Sequence, residues 1–271
     1  MNLLHAVVLG IVQGTTEILP ISSSAHLILI PRFLGWPESG LTFDVALHFG
    51  TFLALFAYFW RDALQLVREG LTGFFKEDGK TLRLSWLLVA ASVPAAIVGK
   101  TLEQPIEDIF RSSPFWIVTL MILFGLVLGL ADRYGYQGHR VENVTLKMAL
   151  IIGCCQCLAL VPGVSRSGIT ITAALLVGLS RVEAARFSFL MSLPVVFGAA
   201  LLKGLHLIRH GMPAGEGLPM LVGVLVSAVV GYLCVIFLLR FVQGRTLWTF
   251  VWYRVLLGVA VLAALGAGLL R

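Results

Sequence analysis

The chain has 271 residues, of which 58% are hydrophobic and 13% are charged, and its mean hydropathy is +0.94. Soluble domains are roughly 45–50% apolar and about 25% charged, so this chain has too few charged side chains to cover a water-exposed surface. The composition excludes a soluble domain, a disordered chain and a coiled coil, and it indicates that apolar surface faces membrane lipid. The net charge of +6 does not indicate a nucleic-acid partner, because basic loops are expected in membrane proteins for reasons of orientation.

The predicted elements are interrupted and continuous apolar segments. The first, at 2–34, is interrupted near its middle by polar residues, and a second segment of this kind lies at 147–180. We predict a re-entrant helical hairpin for each. Continuous segments of membrane length follow the first hairpin at 41–60, 85–99 and 114–131, and the second at 187–202, 218–240 and 247–270. The sequence thus predicts an all-α integral membrane protein with six transmembrane helices and two re-entrant hairpins.

The two interrupted segments resemble each other. Gln13 and Gln156 lie 143 positions apart, and so do Ser22 and Ser165. We interpret this as an internal repeat in which each copy holds one hairpin and three crossings. Because three is odd, the second copy enters the membrane upside down, and inverted-topology repeats place broken helices face to face near the bilayer midplane. The predicted repeats are about 1–135 and 145–271 of a single membrane domain, 1–271.

The distribution of Lys and Arg predicts the orientation. Twelve of these residues lie on the side that holds the segments 61–84, 132–186 and 240–247, and six lie on the other side. Cytoplasmic segments are enriched in Lys and Arg, so the first side is predicted to be cytoplasmic. Both termini and the entrance of the first hairpin are then predicted to lie outside.

The first break carries a carboxylate. Gln13 and Glu17 are four residues apart on one face of a predicted helix, which Pro20 ends. A carboxylate at membrane depth is costly and is functional by default, with a cation or a metal as its partner. The alternative is that Glu17 only pairs with a structural arginine.

Three serines and a histidine follow. Ser22, Ser23 and Ser24 stand at the start of a second apolar helix, where hydroxyls cap the helix and free amides favour phosphate. Ser23 and His26 are three residues apart, which places a hydroxyl and an imidazole on one helix face, as in a nucleophile with its base. The alternative is plain helix capping beside a structural histidine.

The second break combines hydroxyls with an arginine. Arg166 offers a planar guanidinium that matches phosphate oxygens, and neighbouring glycines free the backbone. We predict a phosphate clamp that faces the carboxylate, serine and histidine of the first break. Its residues are Ser165, Arg166, Ser167, Gly168 and Thr170.

Two other polar features of the crossings are predicted to be structural. Asp44 and His48 are four residues apart on the first crossing and are expected to pair with each other, the alternative being that they face the site. Arg254 lies beside Trp248 and Trp252 and is predicted to be an interfacial anchor.

Two long motifs carry a resemblance to a known family. The run from Gln13 to His26 fits the pattern (E/Q)GxTExLPxSSxxH, and the run from Pro162 to Thr170 fits PGxSRSGxT. With these motifs the chain resembles the undecaprenyl-diphosphate phosphatase family, the bacitracin-resistance proteins, and the resemblance extends end to end.

The resemblance implies a multi-pass enzyme of the bacterial inner membrane that hydrolyses undecaprenyl diphosphate to undecaprenyl phosphate and inorganic phosphate. Such an enzyme recycles the lipid carrier of peptidoglycan synthesis and confers bacitracin resistance. A divalent cation, Mg²⁺ or Ca²⁺, is also implied, with Glu17 as its ligand, although Gln13 stands where many family members carry glutamate. The oligomeric state that the resemblance leaves open is a homodimer or a monomer. The implied catalytic residues are Glu17, Ser23, His26 and Arg166, and the phosphate-binding residues are Gln13, Ser22, Ser24, Ser165, Ser167, Gly168 and Thr170.

The residues and the resemblance agree on phosphoryl transfer. Our hypothesis is that Ser23 attacks the terminal phosphorus, Arg166 holds its oxygens and His26 handles the proton. Glu17 orients His26 or binds the cation in this hypothesis, and attack by water beside a phosphate-binding Ser23 is the alternative. A transporter or lipid flippase is the rival from another class, because inverted repeats are a transporter architecture and a transporter needs no nucleophile. The predicted orientation opens the active site to the extracytoplasmic side.

Overall fold

The computed structural model describes residues 2–37, 40–72, 79–135, 138–210 and 216–268. Within these ranges the chain is almost entirely helical and forms no β-strand, which confirms the predicted all-α class. Five of the described helices are long and apolar enough to cross a membrane, or six when one bent pair counts as a single span. The chain is therefore a multi-pass membrane protein.

The first half of the chain forms six helices. They are α1 (Leu3–Ile18), α2 (Ser23–Leu34), α3 (Leu41–Tyr58), α4 (Trp60–Thr72), α5 (Gly79–Phe110) and α6 (Pro114–Tyr134). A bend of 84° separates α3 from α4, so the crossing predicted at 41–60 continues as a helix into a segment assigned to a loop. Leu64, Val67 and Leu71 recur there at helical spacing, which makes α4 an amphipathic helix rather than a loop.

The second half forms five further helices. They are α7 (Leu146–Gln156), which a 3₁₀ turn extends over Cys157–Leu160, α8 (Arg166–Leu176), α9 (Arg181–His210), α10 (Gly217–Gly244) and α11 (Trp248–Gly266). The helices α5 and α9 extend beyond the crossings predicted at 85–99 and 187–202. Apolar content marks only the window inside lipid, whereas charged residues that favour helix prolong both elements past it.

The two predicted breaks have the same backbone conformation. Ser22, which precedes α2, has a φ of 76°, and Ser165, which precedes α8, has a φ of 75°. These are the two non-glycine residues with positive φ in the described ranges, and they lie 143 positions apart. L residues adopt this conformation at an energetic cost, so surrounding contacts must hold both breaks. The likeness supports the repeat at its breaks, while the full inverted arrangement and the limits 1–135 and 145–271 stay predictions.

Close glycine contacts seat the two hairpins against long helices. A Cβ at Gly10 of α1 would lie 2.9 Å from the carbonyl oxygen of Gly223 on α10, and one at Gly153 of α7 would lie 2.2 Å from that of Ala91 on α5. Small residues allow such close approach of helix backbones in membranes. Gly10 and Gly153 again lie 143 positions apart, so each hairpin packs on a helix from the other predicted repeat.

Candidate active site

The two breaks meet at a cavity of about 290 Å³. Apolar side chains of α2, α5 and α9, among them Leu27, Ala95 and Val196, form part of its wall. The polar residues that line it are Glu17, Ser23, Ser24, Asp44, His48, Arg111, Gln156, Ser165 and Arg166. The cavity thus joins residues of both motifs that the sequence singled out.

Glu17, at the end of α1, is the centre of this polar group and is 6% exposed. Its Oε1 accepts a hydrogen bond from Arg166 at 2.6 Å, and its Oε2 accepts one from the Ser23 hydroxyl at 2.5 Å. The amide of Gln13 also donates to Oε2, at 3.3 Å, and Nε2 of His48 lies 3.4 Å from the same oxygen. The carboxylate therefore links both breaks and α3.

The chain positions these groups at the starts of two helices. Pro20 follows the end of α1, Ser23 is the first residue of α2, and Arg166 is the first residue of α8. Helix N-termini carry partial positive charge and favour anions, so both ends favour a phosphate between them. The amide of Gly163 donates to the Ser24 hydroxyl at 3.4 Å, which connects the two breaks directly.

His26 and Ser23 have different partners, so the pairing of nucleophile and base that their spacing suggested is not formed. Its Nδ1 donates to the Ser22 carbonyl at 2.7 Å, and its Nε2 lies 2.8 Å from the Tyr253 hydroxyl. His26 is 5% exposed, stacks on the Tyr253 ring and does not line the cavity. Glu17 takes the place at Ser23 that the spacing assigned to the imidazole, because the turn before α2 folds the serine back onto α1.

Several residues predicted to bind phosphate bond to the protein instead. The Ser167 hydroxyl donates to the Leu19 carbonyl at 3.2 Å, and the Thr170 hydroxyl donates to the Arg166 carbonyl at 2.7 Å and lies 2.6 Å from the Ser188 hydroxyl. Ser24 and Ser165 line the cavity, as predicted for phosphate-binding residues. Those that do not line it are Gln13, Ser22, Ser167, Gly168 and Thr170.

The expected pairing of Asp44 with His48 runs through the Asp44 backbone carbonyl. Asp44 pairs with Arg111 at 3.1 Å, whereas His48 donates through Nδ1 to the Asp44 backbone carbonyl and turns Nε2 towards Glu17. The imidazole reaches back one helical turn to the Asp44 carbonyl, while the Asp44 carboxylate pairs with Arg111. The alternative, that these residues face the site, is confirmed.

Arg254 is not an interfacial anchor. It is 0% exposed, and its guanidinium donates to the carbonyls of Met121 at 2.8 Å and of Gly163 and Val164, each at 2.9 Å. A weaker contact of 3.5 Å reaches the Pro20 carbonyl. The neighbouring tryptophans indicated the membrane interface. The Arg254 guanidinium is buried instead, because it binds backbone carbonyls of both breaks.

Sequence reasoning left four polar residues of the cavity out of the predicted site, Asp44, His48, Arg111 and Gln156. His48 was assigned to a structural pair, although an imidazole inside an apolar crossing was a signal. Gln156 was recognised only as the repeat counterpart of Gln13, and that correspondence was the signal that could have placed it at the site.

The donors at the cavity do not fit a cation held by the protein alone. No group of three or more His, Cys, Asp or Glu side chains able to hold a metal ion occurs in the part of the chain that the structure describes. Both oxygens of Glu17 already accept hydrogen bonds, from Arg166 and Ser23. The Mg²⁺ or Ca²⁺ implied by the motifs stays a prediction.

The comparisons with known proteins cover the whole chain. A protein named undecaprenyl-diphosphatase from Trichlorobacter lovleyi is 69% identical over 271 residues, which is 100% of each chain. Proteins of the same name from Pelobacter propionicus and Moorella thermoacetica are 58% and 51% identical and cover at least 97% of each chain. A family model described as "Bacitracin resistance protein BacA" matches residues 6–260. The chain belongs to the BacA family of bacitracin resistance proteins.

Proposed function

We propose that this protein is an undecaprenyl-diphosphate phosphatase, which hydrolyses undecaprenyl diphosphate to undecaprenyl phosphate and inorganic phosphate. The observation that carries the proposal is the Ser23 hydroxyl, hydrogen-bonded to the Glu17 carboxylate at 2.5 Å beside Arg166 in a cavity within the membrane protein. A nucleophile, a base and a guanidinium are the groups that phosphoryl transfer requires. The names of the relatives support the substrate, and bacitracin resistance follows from recycling the lipid carrier for peptidoglycan synthesis.

Ser23 is the nucleophile of this mechanism. Its oxygen attacks the terminal phosphorus while Glu17 takes the hydroxyl proton, and the bond from that phosphorus to the bridging oxygen breaks. Undecaprenyl phosphate leaves, and the terminal phosphoryl group stays on Ser23. Glu17 then passes its proton to the departing undecaprenyl phosphate and is a base again. Water attacks the phosphoserine and gives a proton to Glu17, the bond from phosphorus to the serine oxygen breaks, and Glu17 returns the proton to that oxygen, which releases inorganic phosphate and restores the serine.

Arg166 and the helix ends stabilise the negative charge of the transferred group. A guanidinium has five N–H donors, so Arg166 can bind phosphate oxygens while one N–H group stays on Glu17. The N-termini of α2 and α8 add positive potential from both breaks. The proposal includes a divalent cation but assigns it no step in the reaction. Phosphate release measured in EDTA, and again after Mg²⁺ or Ca²⁺ is restored, tests whether the enzyme needs the cation.

His26 is a positioning residue in this mechanism and does not take the proton of Ser23. Its bonds to the Ser22 carbonyl and the Tyr253 hydroxyl brace the turn from which Ser23 projects. This role differs from the general base that the spacing suggested.

The remaining parts of the proposal concern the membrane and the assembly. We place the enzyme in the bacterial inner membrane with its cavity open to the extracytoplasmic side, because Lys and Arg favour the opposite side. A homodimer is the assembly to test, by the mass of the protein in detergent measured by light scattering.

Phosphate release from a C55 diphosphate by purified protein in detergent tests the function. We expect turnover by the natural chain and a loss of about 10²-fold or more in Ser23→Ala. Ser227→Ala is the matched control, because Ser227 is buried and bonds to the Leu47 carbonyl away from the cavity, and it should keep its turnover. A chain that moves the lipid in vesicles but releases no phosphate would instead be a flippase.

A further inference from the structure

Gln156, the last residue of α7, has a buried side chain with no hydrogen-bond partner among the described residues. It lines the same cavity as Glu17, Ser23 and Arg166 and is 2% exposed. Within the described residues, neither its amide oxygen nor its amide nitrogen has a hydrogen-bond partner. Buried polar groups are nearly always paired in native proteins, so this amide requires an explanation.

The repeat shows why the amide is free. Gln13 occupies the equivalent position of the first hairpin, and its Nε2 donates to Glu17, four residues along the same helix, at 3.3 Å. In the second hairpin the residue four positions after Gln156 is Leu160, which has no acceptor. The second copy therefore keeps the amide but lacks the carboxylate that binds it in the first copy.

A ligand of the cavity can supply the missing partner. The Nε2 group offers two N–H donors, and phosphate oxygens accept hydrogen bonds from such groups strongly because they are charged. Residues that already line the cavity from both breaks, Ser23 and Arg166, hold the diphosphate in the proposed function. Gln156 borders that same space from the end of α7.

We propose that Gln156 is a further substrate-binding residue, whose amide donates a hydrogen bond to a phosphate oxygen of the bound diphosphate. This inference rests on the proposed function. It assigns the second hairpin two contacts with substrate, one through Arg166 and one through Gln156. In the free enzyme the Gln156 Nε2 has no acceptor among the described residues, and bound diphosphate supplies one.

Gln156→Met tests the proposal, because methionine keeps the length of the side chain and removes both polar atoms. We expect the KM for a C55 diphosphate to rise about 10- to 100-fold, the effect of one hydrogen bond to a charged group, with kcat changed much less. The midpoint of thermal unfolding without substrate should not fall, since no internal hydrogen bond is lost. The inhibition constant of inorganic phosphate distinguishes the two phosphates: it rises with KM when Gln156 contacts the terminal phosphate, and stays constant when the contact is to the lipid-linked phosphate.

Ser92→Ala is the control for a purely structural role. Ser92 is buried on α5, and its hydroxyl donates to the Leu88 carbonyl at 2.8 Å, so its loss should lower the unfolding midpoint and leave KM unchanged. A second variant, Gln156→Glu, places an acceptor where a donor is needed, and its KM should rise more than that of Gln156→Met.

Two results would overturn the inference. One is a KM equal to that of the natural chain in both Gln156 variants, and the other is a drop in unfolding midpoint in Gln156→Met as large as in Ser92→Ala. If the natural chain releases no phosphate from the C55 diphosphate, the proposed function fails instead, so the two failures are distinct.

Discussion

Glu17 binds a serine hydroxyl and an arginine guanidinium with the same carboxylate. Oε2 holds the Ser23 hydroxyl and Oε1 holds Arg166, so one buried side chain orients the hydroxyl and the guanidinium together. A carboxylate removed from water requires such partners, because an unpaired charge at this depth is costly. The chemistry at the residue scale thus depends on geometry that Glu17 sets.

Arg166→Lys should lose most activity although the charge is kept. An ammonium is a point charge, so it cannot bond to Glu17 and two phosphate oxygens with the geometry of the guanidinium. We expect kcat to fall by about 10²–10³-fold in phosphate-release assays. Arg186→Lys, in a half-exposed ion pair with Asp62, is the control and should stay near normal. Normal turnover in Arg166→Lys would remove the phosphate clamp from the mechanism.

Ser23→Ala and Glu17→Gln should be strongly non-additive. Residues that act as one nucleophile and base lose most of the rate when either is removed, so the double variant should be little slower than the slower single variant. Phosphate release by the three variants measures this.

The control for this double-mutant cycle combines Ser24→Ala with Glu17→Gln. Ser24 lines the cavity but bonds to Ser22 and Gly163 rather than to Glu17, so its effect should multiply with that of Glu17→Gln. If the effects of Ser23→Ala and Glu17→Gln multiply as well, water attacks the phosphorus and Ser23 only binds the phosphate.

The sequence predicted which side chains form the site better than it predicted their contacts. Glu17, Ser23 and Arg166 were selected from their residue types and from the cost of polar groups in lipid, and the structure brings them together. The pairing of Ser23 with His26 failed although both lie in α2, because the imidazole bonds back to the Ser22 carbonyl and the Ser23 hydroxyl bonds to Glu17. The contact of Arg166 with Glu17 spans 149 positions, and no local pattern fixes a contact at that separation.

At the scale of elements, Arg254 of α11 stabilises both breaks. Arg254 binds the carbonyls of Gly163 and Val164 in the second break and reaches Pro20 in the first, while its Nε is tied to Met121 of α6. Broken helices expose carbonyls that lipid cannot satisfy, so a buried guanidinium with several donors stabilises them. Arg254 is thus a positioning residue, which acts through the breaks.

Arg254→Leu should destabilise the protein and lower its activity together. At least one hydrogen bond from a charged group is lost, so the free energy of unfolding should fall by about 2 kcal/mol or more. Thermal unfolding in detergent, with phosphate release measured below the midpoint, checks both effects. Arg245→Leu replaces an exposed arginine just after α10 and should leave the midpoint unchanged. Equal midpoints for Arg254→Leu and the natural chain would show that the breaks hold without it.

Elements were predictable where the physical signal is local. Apolar length indicated the crossings, and Pro20 and Pro162 with their polar neighbours indicated the breaks, which the structure has at Ser22 and Ser165. The helix α4 and the 84° bend before it were not predicted, because a mixed polar segment resembles a loop when only its mean composition is considered.

At the scale of the whole molecule, lipid contact explains the unusual exposure of apolar side chains. On α10, Leu221, Leu225 and Val229 are each more than half exposed, although they would be buried in a soluble protein. Membrane lipid is the partner that covers this surface. The orientation of the chain within the membrane is a prediction from the distribution of Lys and Arg. Of the basic residues in that count, Lys76 and Arg271 lie outside the described residues.

A cysteine at the cavity should react from the outer side of the membrane. The background lacks Cys154, Cys155, Cys157 and Cys234, and Ser24→Cys is then treated with a membrane-impermeant maleimide on intact spheroplasts. We expect labelling, because the predicted orientation opens the cavity outward. Leu71→Cys, at an exposed position of α4 on the predicted cytoplasmic side, should react only after lysis. The reverse pattern would invert the orientation.

The separation of 149 positions between Glu17 and Arg166 has a consequence for biosynthesis. At translation rates of about 5–20 residues per second, the carboxylate leaves the ribosome roughly 7 to 30 s before its arginine does. A carboxylate without its arginine is costly in the bilayer core, so we expect the first hairpin to stay near the interface while the middle helices insert. We expect it to reach its final depth once α8 has been made, which would make the first segment to be synthesised among the last to be assembled.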